Sequence, residues 1–200
     1  MNYLLPFSII MILYTIISQY RTGGQNLLQW IQQSLKNEFV VIHEPFNSSF
    51  SNYTTDTTLQ DFSWLEDKKY FIKELWYPEY DYDTILNLSS KILCLYRENT
   101  HEQTISHMYS TKEQRYHHHY TQKDIDRIFI EEEYNRIKEE LEFNKKTIIE
   151  FASKNNLPTI SYESLYLEKG IEKLKKLFNF ESEIPFPYGS KYFTKNKKLI

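Results

Sequence analysis

Apolar positions along the chain gather into short runs, and the spacing inside the runs changes from one to the next. Residues 3–17, YLLPFSIIMILYTII, are almost wholly apolar and stop at Ser18, Gln19 and, a few residues on, a pair of glycines. The second half of that run is rich in Ile, Leu and Thr, which predicts a buried strand of a parallel sheet over Ile10–Ser18. Gln25–Asn37 carries Leu28, Ile31 and Leu35 at helical spacing and predicts an amphipathic helix. Phe39–Ile42 is a short apolar strand, His43–Thr58 a long polar loop, and Leu59–Lys68 a weaker helical pattern. Tyr70–Trp76 reads as a strand ended by Pro78, and Lys91–Tyr96 as a second, strongly apolar one. Thr100–Thr111 predicts a helix. Asp124–Asn155 carries the clearest helical period, with Ile125, Ile128, Phe129, Tyr134, Ile137, Leu141 and Ile148 near one face and an expected break near Asn144. Leu157–Ser161 reads as a strand and Gly170–Phe178 as a short helix. Strands alternate with helices and no period repeats. The expected fold is therefore α/β, three-layered around a mainly parallel central sheet.

Composition narrows the picture only in places. The chain has 200 residues, the length of one domain, with 40% hydrophobic and 16% aromatic residues, so a core rich in Tyr and Phe is expected. A net charge of -3 gives no global reason to expect nucleic acid or an anionic membrane as partner. The basic end, with Lys191, Lys195, Lys197 and Lys198, reads as a solvated terminus. The single cysteine, Cys94, lies in the apolar run ILCLY and reads as a small buried hydrophobe, which favours a reducing compartment and a cytoplasmic location. The N-terminal run lacks the basic flank and small-residue cleavage site of a signal peptide, and it falls short of the roughly 20 apolar residues of a spanning helix. A membrane-anchored N-terminus is the competing reading. Sequons at Asn47, Asn52 and Asn87 are expected by chance in a chain rich in Asn and Ser.

The glycines carry candidate chemistry. A buried strand, a loop containing Gly23 and Gly24, and then a helix form the general arrangement for holding an anion, because the helix start offers unpaired N–H groups and a positive dipole end. Glycine lets the backbone approach a phosphate closely, and Arg21 and Thr22 add a cation and a hydroxyl. The run is neither a Walker A loop nor GxGxxG, and a plain strand-to-helix turn is the alternative.

Further motifs follow in order: VVIHEPFN at Val40–Asn47, ILCLYRENTHEQTISHMYS at Ile92–Ser110, and Tyr162–Leu165, YESL. Together with the first loop they resemble the sulfotransferases that use 3′-phosphoadenosine 5′-phosphosulfate (PAPS), especially the bacterial carbohydrate-type branch, over about residues 8–180. The first loop of that family reads like R-S-G-S-T-L-L, against Arg21-Thr22-Gly23-Gly24-Gln25-Asn26-Leu27 here. The next strand ends in a G-E-P-F type sequence, here His43-Glu44-Pro45-Phe46, and the second cofactor motif sets Arg97 before Gln103 and Ser106. The resemblance implies a sulfotransferase topology of P-loop-like kind. It implies that Arg21, Thr22, Gly23, Gly24, Gln25 and Asn26 hold the 5′-phosphosulfate, with Arg21 as catalytic cation. It implies that Arg97 and Ser106 hold the 3′-phosphate and that Glu44 activates the acceptor hydroxyl, with His43 as the competing base. Adjacent strand residues point to opposite faces, so only one of His43 and Glu44 is expected to face the cofactor. The resemblance further implies PAPS as co-substrate, no metal, and a small molecule or a carbohydrate as acceptor. Gly24 and Gln25 stand where the family carries small hydroxyl residues, a departure that bears on cofactor affinity.

Two conspicuous runs receive other readings. His117-His118-His119 is expected to form an exposed loop beside the acceptor rather than a metal site, since three consecutive side chains diverge. Glu131-Glu132-Glu133 reads as a solvated helix face. The alternatives to a sulfotransferase are a small-molecule kinase with a degenerate P-loop and a non-catalytic nucleotide-binding protein of the same fold.

Overall fold

A computed structural model describes residues 12–35, 38–45, 68–113, 121–168 and 170–187. The runs at 47, 52 and 117–119, the pattern over 59–67, the first eleven residues and the lysine-rich end lie outside these, as does the side chain of Gln25. Among the described residues five strands, β1 (Ile12–Ser18), β2 (Val40–His43), β3 (Lys69–Leu75), β4 (Lys91–Tyr96) and β5 (Thr159–Ser161), form one sheet in the order β2-β3-β1-β4-β5. Every pairing is parallel. The apolar strands sit at the centre because both of their faces must be covered.

Helices cover both faces. Alternate side chains of β1, β3 and β4, namely Ile16, Phe71, Leu93 and Leu95, pack with α1 (Gly24–Ser34), α6 (Tyr162–Leu167) and α7 (Ile171–Phe178). The opposite set, including Leu13, Ile17, Ile72, Ile92 and Cys94, packs with α2 (Asp83–Leu88) and α5 (Glu131–Lys154). α3 (Thr100–Glu113) and α4 (Gln122–Ile128) join α5 through Met108, Tyr109, Ile128, Ile137 and Leu141. The three-layer α/β expectation holds. Among the described residues no helix is long and apolar enough to cross a membrane.

The long helical pattern divides differently from expectation. Phe129 and Ile130 are extended and separate α4 from α5, whereas α5 runs unbroken through Asn144. Asn144 is buried inside α5, with its carbonyl accepting from the Thr147 hydroxyl at 3.2 Å. The helices α2 and α6 were not expected; at six residues each they are too short to show a period.

The topology fixes the candidate site. From β1 the chain crosses to β2 on one side, and from β4 it proceeds to β5 on the other, so the connections diverge at the carboxyl ends of β1 and β4. A crevice at such a switch point is where open α/β sheets bind ligands.

Candidate functional site

The loop between β1 and α1 is built from within. Thr22 is buried and its hydroxyl donates to the carbonyl of Gln19 at 2.7 Å, so this hydroxyl ties the loop together. Arg21 and Gly23 both have left-handed backbones, φ 62° and 71°. The Tyr166 hydroxyl donates to the carbonyl of Gly23 at 2.7 Å. α1 starts with no side-chain cap and no acid in its first turn, which leaves its first N–H groups and positive dipole end open to an anion. Asn26 in that turn is exposed.

Two neighbours of this helix start were not singled out in the sequence. A Cβ placed on Gly24 would lie 2.9 Å from Cε of Lys73 and 3.4 Å from Oγ of Ser18. The Lys73 side chain thus lies across the first turn of α1, and glycine is what leaves room for it. Ser18 Oγ is buried without a hydrogen-bond partner among the described residues. Burial pushes the Lys73 ammonium below its ordinary pKa, against the opposing pull of Glu44. The signal was present in the sequence: a lysine in the middle of the apolar strand YFIKELW is anomalous, because a strand buried on both faces has no solvated side for it.

Glu44 follows the end of β2 and is 5% exposed. Its carboxylate pairs directly with the ammonium of Lys73, and its backbone N–H donates to the carbonyl of the same residue at 2.7 Å. Glu44 has a left-handed backbone, φ 49°, and this breaks the strand alternation. His43 and Glu44 therefore converge, Nε2 to Oε1 at 3.3 Å, contrary to the expectation that they point apart. Burial first and the Lys73 charge second hold the His43 pKa below its usual value. Tyr77, beyond the end of β3, feels Glu44 as the first of several nearby carboxylates and phenols, and with burial as the largest cause its phenol is pushed up to about 12. Its ring packs on that of Tyr80, centroids 4.8 Å apart.

On the other side of β1, the loops after β1 and β4 are knitted together. Gln19 donates to the Leu141 carbonyl at 3.1 Å and accepts from the Arg97 backbone N–H at 3.2 Å. Gln103 donates to the Tyr20 carbonyl at 2.8 Å. The Arg21 guanidinium reaches α3 and donates to Ser106 Oγ at 3.0 and 3.2 Å. Arg97 is 4% exposed and donates to the Arg21 carbonyl at 3.4 Å. It also bonds Glu102 at 2.8 Å, lies 3.7 Å from Glu163 and stacks on the Tyr162 ring at 4.6 Å. The YESL motif thus has a visible task. Tyr162 supports Arg97 from below, and the Glu163 carboxylate accepts the N–H groups of Glu98 and Asn99 at 2.9 and 3.1 Å.

The sequence-derived residues therefore fall into two groups at one sheet edge. Arg21, Arg97 and Ser106 meet at the β1–β4 switch point, while Glu44 and His43 lie beyond β3, with Lys73 as the cation beside them. Gly23 and Gly24 lie at the start of α1, between β1 and the Lys73 side chain. Among the described residues no three His, Cys, Asp or Glu side chains are grouped to hold a metal ion.

No protein-family model matches the sequence, and no curated protein matches it. Among solved structures the chain is similar to mouse sulfotransferase SULT7A1 complexed with PAP, with 12% sequence identity and a TM-score of 0.54. The similarity covers 92% of this chain and 62% of that one, so the chain spans less than two thirds of the neighbour's length. This neighbour is a mouse sulfotransferase, so the likeness supports the fold and not the bacterial carbohydrate-type branch that the motifs suggested. The chain has an α/β fold of the sulfotransferase kind.

Proposed function

We propose that the chain binds PAPS at the start of α1 and moves its sulfuryl group to a hydroxyl of a small-molecule or carbohydrate acceptor. The observation that carries this reading is Lys73, whose side chain lies over an uncapped helix start and whose ammonium contacts a carboxylate, at the carboxyl edge of a parallel sheet. The residues present suit an anionic group. Ser18 supplies a buried hydroxyl in need of a partner, Gly24 removes the Cβ that would fill the cradle, and Lys73 supplies charge.

PAPS supplies an activated sulfuryl group on its 5′-phosphate. The α1 N–H groups and Lys73 hold that end and offset negative charge as it grows, a contribution strongest where water is excluded. Glu44 takes the proton of the acceptor hydroxyl; a well-placed general base contributes about 10²–10⁴-fold in rate. Arg97 and Ser106 hold the second phosphate of the nucleotide at the switch point, and Arg21, expected as the catalytic cation, joins them there because its guanidinium reaches Ser106, which leaves the catalytic charge to Lys73. The Tyr77 ring, near enough to Glu44 to feel its charge, packs on Tyr80 and offers the acceptor an aromatic wall.

Calorimetric titration with the desulfonated nucleotide, 3′-phosphoadenosine 5′-phosphate, tests the binding half. Binding of that nucleotide in preference to ATP with magnesium is expected, and the reverse preference points to the kinase alternative. Turnover of labelled PAPS then separates an enzyme from a non-catalytic binder. With a working acceptor, Glu44→Gln should lose most transfer and His43→Gln should keep it; the opposite pattern makes His43 the base.

A further inference from the structure

We propose that Lys73 exchanges partners on nucleotide binding: the Glu44 carboxylate holds its ammonium until an anion reaches the start of α1, and the exchange frees Glu44 to act on the acceptor. This rests on the nucleotide-binding reading above.

The geometry gives the two partners unequal freedom. Glu44 is fixed through its own backbone, whose N–H bonds the Lys73 carbonyl at 2.7 Å and whose left-handed conformation sets the direction of the side chain. The ammonium sits at the end of a flexible four-carbon chain whose Cε already lies over the first turn of α1. Lys73 is thus the partner able to move, and a short displacement carries it from carboxylate to helix start. Ser18 Oγ, buried beside the same glycine, is a second donor at the place to which it would turn.

Burial explains why the pair persists without ligand. A buried ammonium that loses its partner is strongly disfavoured, so Lys73 stays with Glu44 until a better anion arrives. While the pair is closed, Glu44 competes with the ligand, and apparent nucleotide affinity is reduced by the fraction of molecules in which Lys73 is free to turn. The same contact keeps the carboxylate occupied as a counter-ion. Proton acceptance from the acceptor therefore follows nucleotide binding.

The proposal makes an unusual demand: weakening the base should tighten the nucleotide. Titration of 3′-phosphoadenosine 5′-phosphate into wild type, Glu44→Gln and Glu44→Asp tests it. Glu44→Gln removes the competing charge and should bind about tenfold more tightly. Glu44→Asp keeps the charge but shortens its reach, and aspartate tolerates a left-handed backbone, so tightening of about threefold is expected there. Tightening in Glu44→Gln with wild-type affinity in Glu44→Asp is a plain field effect and overturns the exchange. Equal or weaker binding in both folded variants also overturns it, while nucleotide binding itself stands. Absence of binding in all three proteins removes the exchange and the nucleotide-binding reading together.

Discussion

Gly23 and Gly24 are neighbours in sequence, yet a side chain at each would meet different surroundings. At Gly23 a Cβ would press on the Tyr162 ring at 2.9 Å from a left-handed backbone, φ 71°. At Gly24 the close contact would be with the far end of the Lys73 chain, which can move aside, and Ser18 Oγ would lie at an ordinary 3.4 Å. Gly23→Ala should therefore lower stability by at least about 1–2 kcal/mol, the cost of the backbone alone. Gly24→Ala should unfold in urea close to wild type while nucleotide affinity falls by up to about tenfold, because Lys73 is displaced from the helix start. Loss of stability in the second variant, or none in the first, would reverse these roles. The loop and the Arg97 motif were visible in sequence because they are local: a glycine pair after an apolar run, and an arginine after another. The Glu44–Lys73 pair was not, since it depends on β2 lying beside β3 in one register. The left-handed backbones of Arg21 and Glu44 were equally hidden, for nothing in a non-glycine residue announces a conformation imposed by its surroundings.

At the level of elements, the loops after β1 and β4 share a brace in Gln19, whose side chain touches the Arg97 backbone and α5. Gln19→Leu leaves a buried N–H and a carbonyl contact unmet, at a cost of about 1–3 kcal/mol. Amide exchange should then quicken together in residues 19–23 and 97–99, with the sheet interior unchanged; faster exchange in one loop alone would show that Gln19 does not couple them. Elements whose pattern exceeded one or two turns were legible, such as α5 and the apolar strands β1 and β4. The boundary between α4 and α5 was misplaced because Asn144 suggests a breaker in sequence, whereas the actual stop at Phe129 and Ile130 is apolar and carries no turn residue. Lys73 was in plain view as a charge inside an apolar strand, but its task was not, because α1 and Glu44 reach it only in the folded sheet.

For the whole molecule, acid is the expected weakness. His43 and His107 both have pKa values below the ordinary 6.5, chiefly from burial, with the charge of Lys73 acting on the first and that of Arg21 on the second. The unfolded chain takes up these protons near pH 6.5, before the folded chain does, so stability falls as pH drops from there until it passes the folded values. Each imidazole contributes a slope of at most about 1.4 kcal/mol per pH unit, reduced at His43 by its solvent contact. Urea midpoints measured from pH 7 to 5 should decline, and His107→Gln should flatten the decline. An unchanged slope in that variant would place the acid sensitivity elsewhere.

The lone thiol of Cys94 sits fully buried in the strand next to the central one, and burial pushes its pKa up to about 12. A thiol reagent can reach it only when the sheet opens, so the chain carries its own clock for that event. With no second cysteine to confuse the signal, labelling speed in native buffer reads the population of open molecules directly. Saturation with a ligand at 100 times its dissociation constant should slow the labelling about 100-fold when opening is rapid and reversible. A collection of candidate acceptors and nucleotides can then be ranked by the silence of a single sulfur, without any knowledge of the reaction that they undergo.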